Sequence, residues 1–309
     1  MSGNRARSML VPLVLLALTG CVRPIHPTAS TPMPRIAPAD ALVIRNGTVI
    51  PGTDAGPIPD GVLIIQGERI LAVGRAADWT IPSGVRTIDA QGGTILPGLI
   101  NAHVHAAYDA QVRRLFLEEG VTAICDLSTP LEAFDALTQS SADAGLAARG
   151  FRSGPVITAP GGYPSSEAKR ELRYEVENAE AARAAVQDLA TRGVDVIKIA
   201  LDAGNPAEPL PTLDLETATA IVEEAYTRGL LVRAHVTQAA ALETALAAGV
   251  DVVEHTPLPQ RDGAELQVTQ QDAERPALPA SLEALLARAA APGVVRVPAL
   301  AAALAGDCV

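Results

Sequence analysis

Arg192-Gly193-Val194-Asp195-Val196-Ile197-Lys198-Ile199-Ala200 holds the pattern that decides the fold. A helix-like segment ends in glycine and runs directly into a β-branched strand. Glycine at a helix C-terminus supplies the left-handed residue that turns the chain. The same junction returns at Glu119-Gly120-Val121, Arg228-Gly229-Leu230, Ala248-Gly249-Val250 and Pro292-Gly293-Val294. The segments that follow (121–127, 155–159, 194–200, 230–236, 250–256 and 294–299) are apolar enough to be buried on both faces. Helices alternating with such strands predict a parallel sheet with right-handed crossovers. With 95–102 the count is seven strands. The nearest closed architecture is an eight-stranded (β/α) barrel, whose site lies at the strand C-termini.

Residues 94–105, Thr-Ile-Leu-Pro-Gly-Leu-Ile-Asn-Ala-His-Val-His, form the first of these strands and end in His103 and His105. Residues two apart on an extended chain point to one side. The two imidazoles are therefore predicted to face one ion, with Val104 turned away. The sequence holds five histidines and, as its only lysines, Lys169 and Lys198. His235 ends the strand Leu231-Val232-Arg233-Ala234-His235, and His255 ends Val252-Val253-Glu254-His255. Lys198 lies near the end of its own strand. Four of the five histidines and one lysine thus fall at one rim. Neutral imidazole is the commonest biological metal ligand, and a charged lysine in an apolar strand needs a reason to be there.

On Leu96 to His105, the lysine in Val196-Ile197-Lys198-Ile199, Ala234-His235 and Glu254-His255, the chain resembles the amidohydrolase superfamily. The nearest members are its imidazolonepropionase-like and Xaa-Pro-dipeptidase-like clades, over about residues 41–300. The resemblance implies a metal-binding barrel beside a small β-sandwich. It implies that His103 and His105 bind one divalent metal and His235 and His255 a second, with Lys198, carboxylated by CO2, bridging both. Zinc is the ion expected for nitrogen and oxygen ligands. The implied reaction is hydrolysis of a C–N bond (amide, peptide or cyclic amide) in a small-molecule or dipeptide-like substrate. A mononuclear, deaminase-type site is the alternative chemistry, and Lys198 counts against it. Tyr163, in the loop Ala159-Pro160-Gly161-Gly162-Tyr163-Pro164, could donate to a substrate carbonyl or simply pack. Arg233 could hold a substrate carboxylate or pair with a neighbouring acid.

The family's general acid–base, an aspartate ending strand 8, has no counterpart in the sequence. Asp307 follows strand 7 too soon, and Asp54 sits in the N-terminal unit. The barrel is accordingly expected to be incomplete, and a truncated, catalytically impaired homologue that only binds metal or ligand is the competing expectation.

The rest of the sequence sets the context. The 309 residues carry a net charge of −11, and no basic patch is visible, which argues against nucleic acid. Aromatics are 3 %, so the core must be aliphatic. Residues 1–21 read as a lipoprotein signal peptide. Arg5 and Arg7 precede an apolar run too short to span a bilayer, and Leu18-Thr19-Gly20-Cys21 is similar to a lipobox that would lipidate Cys21. Val22 after it favours the outer membrane, facing the periplasm of a bacterial envelope. Residues 22–40 are a Pro-rich tether, with His26 solvated in it. Residues 41–94 read as a small antiparallel β unit, the composite sandwich, with turns at Asn46-Gly47, Asp60-Gly61 and Gln66-Gly67. Residues 95–309 are the partial barrel. Cys21, Cys125 and Cys308 are odd in number and imply no disulfide framework. A homo-oligomer is left open.

Overall fold

The glycine junctions take the conformation their positions require. In the computed structural model, which describes residues 36–134, 147–205, 207–255 and 295–297, Gly120, Gly193, Gly229 and Gly249 all have φ between 68° and 83°. The leader, most of the tether with Cys21 and His26, Gly293, Asp307 and Cys308 lie outside the described residues. The chain divides into two units, 1–97 and 98–309.

The first unit is a five-stranded sheet. Strand β1 (Ala41–Val49) pairs antiparallel with β2 (Ile58–Gln66), and β2 with β3 (Arg69–Arg75). Strands β4 (Arg86–Asp89) and β5 (Thr94–Ile95) both join β1 in parallel, so the sheet is mixed rather than antiparallel. Asn46-Gly47 and Asp60-Gly61 are not hairpin turns. They are irregularities inside β1 and β2, where Gly47 faces Gly61 and the register shifts. Val43, Val62 and Ile64 form the small core, with Trp79 against it.

Thr94-Ile95 belongs to this first sheet, so the strand expected over 95–102 starts later, as β6 (Leu99–Val104). Gly98 makes that start feasible. A Cβ there would lie 2.2 Å from the Thr122 side chain. From β6 onward the strands run parallel: β7 (Val121–Asp126) with β6, and β8 (Arg149–Arg152) with β7. Three residues later β9 (Val156–Thr158) is parallel to β11 (Ile197–Ala200). Three residues cannot make a crossover between parallel strands. Strands β8 and β9 are therefore halves of one strand bent at Ser153–Pro155. It pairs first with β7 and then with β11. Strands β14 (Val232–His235), β15 (Val252–Glu254) and β16 (Val295–Val297) follow in parallel. Counting the bent strand once, seven parallel strands lie in chain order among the described residues. Strand β10 (Arg173–Glu175) flanks β9, and β12 (Gly204–Asn205) and β13 (Glu208–Pro209) form a small ribbon.

Helices α1 (Ala110–Glu118), α2 (Ala179–Thr191), α3 (Leu215–Thr227) and α4 (Ala239–Ala248) connect the strands. Asp109, Asn178 and Asp214 cap the first three by accepting from backbone N–H groups. Helix α2 buries Ala182, Ala185, Val186 and Leu189, the three- and four-residue spacing of one helical face. These residues pack with Ile157, Ile197, Ile199, Ile221 and Leu242 into one aliphatic core. Each Val, Ile or Leu side chain among them contributes about 1.5–3 kcal/mol on burial. The core holds β11, β14 and β15 rigidly, and the site stands on their C-terminal ends.

Candidate metal centre

Parallel register sets the frame. Lys198 lies beside Arg233, Ala200 beside His235, and His235 beside Glu254. Side chains alternate along a strand, so Lys198, Arg233, His235 and Glu254 emerge on one face. His103 and His105 arrive from β6. The four imidazoles meet. His103 Nε2 and His105 Nε2 are 3.2 Å apart, and His255 Nε2 and His235 Nδ1 are 3.1 Å apart. The rings of His103 and His255 are 5.1 Å apart. His255 holds its place with φ at +68°, a left-handed backbone that non-glycine residues seldom adopt.

Two buried carboxylates decide which ring nitrogen faces inward. Glu254, fully buried, accepts from His103 Nδ1 at 2.7 Å and from Arg233 Nε. Asp202 accepts from His235 Nε2 at 3.3 Å, from Thr237 Oγ1 and from the Gly204 N–H. With the outer nitrogens donating, His103 Nε2 and His235 Nδ1 must present lone pairs. Asp126 fixes the turn after His105 by accepting from the Ala107 and Ser128 N–H groups at 2.7 and 3.1 Å. Burial raises the Asp126 carboxyl pKa against these hydrogen bonds. Burial also pushes Glu254 upward, but the His103 hydrogen bond and the charges of Lys198 and Arg233 outweigh it and bring it down to about 2.

Burial lowers all four histidines, against the pull of Glu254 on His103 and of Asp202 on His235. His105, the most solvent-open of the four, falls to about 4 and His255 to about 3. The imidazoles are thus neutral at pH 7, the form that ligates. Between about pH 6.5 and 3 the unfolded chain protonates His255 and the folded chain does not, so stability falls as the pH falls. Denaturant melts of chelator-treated protein are expected to lose up to about 1.4 kcal/mol per pH unit from His255 across that window. Replacing His255 with Asn removes this contribution, and an unchanged slope would refute it.

Lys198 is 2 % exposed, and its Nζ makes no hydrogen bond among the described residues. Burial drives it to about 7, Glu254 opposing and Arg233 reinforcing the shift. No three His, Cys, Asp or Glu side chains among the described residues form a ready ligand set by themselves. The donor set nonetheless has the chemistry of a divalent-metal site. It offers four neutral imidazoles, two of them oriented from outside, and a buried amine with no hydrogen-bond partner among the described residues.

A cavity of about 50 Å³ adjoins this cluster, lined among others by His103, His105, His235, Lys198, Tyr163 and Lys169. The Tyr163 ring stacks on His235 at 4.1 Å and 14°. Strand β10 holds that loop. Arg173 donates to the Pro164 carbonyl at 3.0 Å, and the Gly161 N–H donates to Glu175 at 3.1 Å. Gly162 packs so closely that a Cβ would lie 2.3 Å from Thr158 Oγ1. Arg233 does not line the cavity. Of the two roles open to it in the sequence, the structure shows the pairing with a neighbouring acid, Glu254. Cys125 is half-buried and free, and burial raises its thiol to about 11.

Sequence reasoning passed over Glu254, Asp202 and Asp126 as site residues. The signal for Glu254 was present. A carboxylate closing the apolar run Val252-Val253 must be paired if the strand is buried.

The amidohydrolase family profile matches residues 94–295, which include every residue of the cluster. Imidazolonepropionase of Anaeromyxobacter dehalogenans is 36 % identical over 78 residues, 23 % of this chain and 18 % of that protein. The 5'-deoxyadenosine deaminase of Methanococcoides burtonii is 39 % identical over 66 residues, 21 % and 14 % respectively. The chain thus spans less than a fifth of the length of these curated relatives. Among solved structures, a putative prolidase from Bifidobacterium longum superposes with a TM-score of 0.61 at 27 % identity, covering 72 % of this chain and 56 % of that one. A prolidase complexed with N-methylphosphonate-L-proline superposes at 0.60 and 23 % identity, covering 71 % and 62 %, and shows the shared fold. With the profile matched over about two thirds of its length, the chain belongs to the amidohydrolase family.

Proposed function

We propose that the chain is a metal-dependent hydrolase of a C–N bond in a small-molecule or dipeptide-like substrate. The observation that carries this is the buried amine of Lys198, unbonded among the described residues and sharing a cavity with His103, His105 and His235. His103, His105, His235 and His255 would hold two divalent ions, zinc first among them, with a carboxylated Lys198 between. When bound, such ions supply Lewis acidity toward a carbonyl and lower the pKa of water. The seven parallel strands in chain order support a TIM-like barrel as the scaffold.

The chain's own residues orient the site. Glu254 and Asp202 fix the tautomers of His103 and His235. Tyr163, whose ring stacks on His235 and which lines the cavity, would donate its phenol O–H to the oxygen of a bound carbonyl. Leu127, Val156 and Leu172 give that cavity an apolar wall. Among the described residues no aspartate or glutamate lines it, so no proton carrier is assigned.

Several curated relatives are named deaminases, which favours a mononuclear deaminase as the second reading. Lys198 opposes it, since a one-ion site has no use for a bridging group.

Elemental analysis separates these readings. About two zinc per chain, falling on Lys198→Ala, is the expected result, with hydrolysis within a panel of dipeptides and cyclic amides. One zinc indifferent to Lys198 would favour the deaminase. Two zinc without hydrolysis would leave a homologue that binds metal only.

A further inference from the structure

The two lysines of this chain line the same cavity. Lys198 lies at its buried end. Lys169 is half-buried on the short 3-10 segment Glu167–Leu172, which forms another wall. The Lys169 ammonium enters no ion pair or side-chain hydrogen bond among the described residues. Glu167 faces Arg173 instead, at 3.8 Å, and Glu171 is exposed. No carboxylate lines the cavity among the described residues, although the chain as a whole carries a charge of −11. An acidic protein has thus left one ammonium without a countercharge beside an apolar wall and the imidazole cluster. Arg233 is not available for that work, because Glu254 holds it.

We propose that Lys169 is a specificity-determining residue that reads a carboxylate on the substrate, next to the C–N bond that is cut. The substrate class is an N-acyl amino acid or a dipeptide with a free C-terminus and an apolar side chain, which Leu127, Val156, Pro164 and Leu172 receive. This deepens the hydrolase reading and rests on it for the bond that breaks. The binding step itself needs only the cavity. An ammonium on a flexible four-carbon stem suits a single carboxylate as a point charge, whereas an arginine fork would demand a fixed bidentate geometry.

The test is calorimetric titration of zinc-loaded protein with N-acetyl-L-leucine and with N-acetyl-L-leucinamide, which differ in the carboxylate. Wild type should bind the acid about tenfold or more tightly than the amide. Lys169→Met, which keeps the stem and removes the charge, should bring the two within about twofold. Lys169→Arg should keep most of the preference. An unchanged preference in Lys169→Met overturns the proposal, because the metals or another group would then be reading the carboxylate. So does a wild type that binds both alike or neither. Hydrolysis is scored separately. A protein that cleaves neither compound nor any of the panel but keeps a Lys169-dependent preference loses the hydrolase reading and not this one. A protein that cleaves acid and amide substrates equally, with Lys169→Met unaffected, loses this one alone.

Discussion

Glu254→Ala is expected to destabilise the metal-free protein by about 3–5 kcal/mol, the range for removing one partner of a buried ion pair. The carboxylate is fully buried and serves two donors, His103 Nδ1 and Arg233 Nε. Its loss strands the guanidinium of Arg233, a residue only 8 % exposed, whose second terminal nitrogen already lacks a partner among the described residues. His103 would lose the acceptor that fixes its tautomer, so zinc retention should fall with stability, by about 10–100-fold. Glu254→Gln separates the two effects, since it keeps the shape and one acceptor oxygen. The pH dependence has a definite sign. The folded-state pKa is depressed to about 2 from an ordinary value of 4.5. The stabilisation is therefore complete above about pH 4.5 and is lost as the pH falls toward 2. The difference between wild-type and Glu254→Gln melts should shrink across that window. A Glu254→Ala protein within about 0.5 kcal/mol of wild type would mean that water, not the carboxylate, serves Arg233 and His103.

Lys198→Met should move stability the other way. Removing a buried amine that makes no hydrogen bond among the described residues should stabilise the metal-free chain by about 1–3 kcal/mol. Zinc binding and any hydrolysis should fall by more than about 100-fold. Burial lowers the amine to about 7 from 10.5, so between pH 7 and 10.5 the unfolded chain binds the extra proton. Wild-type stability therefore rises with pH through that interval, and the advantage of Lys198→Met should narrow as it does. A variant less stable than wild type at pH 7 would show that Lys198 is held by an interaction with folded-state value of its own. Greater stability together with lost metal would mark a residue retained for chemistry at the expense of the fold.

The His-x-His spacing, Lys198 and the two strand-end histidines could be read before any coordinates, because strand periodicity and the glycine junctions fix where a strand ends and which side a residue faces. What escaped depends on long-range pairing. Arg149-Gly150-Phe151-Arg152 looks like polar loop, and only its place beside β7 makes it strand. The separation of Thr94-Ile95 from Leu99–Val104 depends on β1, some fifty residues earlier. Asn46-Gly47 has the composition of a hairpin turn, and the partner glycine at 61 turns it into an irregularity within a strand. Asp202 lies beyond the end of β11, where sequence alone offers several acidic residues and no means of choosing among them. Arg233 could be assigned a direction but not a partner, since its partner belongs to the next strand.

The left-handed backbone at His255 limits what evolution or design can do at that position. Of the common metal-binding side chains, those of Asn and Asp tolerate such a conformation at least as well as histidine, whereas β-branched residues do not. An oxygen ligand is therefore within reach of one substitution at 255 without reshaping the chain. At His105, which has no such backbone constraint, the choice of replacement is limited by the imidazole beside it and not by main-chain geometry. The two ends of the cluster therefore differ in how freely their side chains could be exchanged.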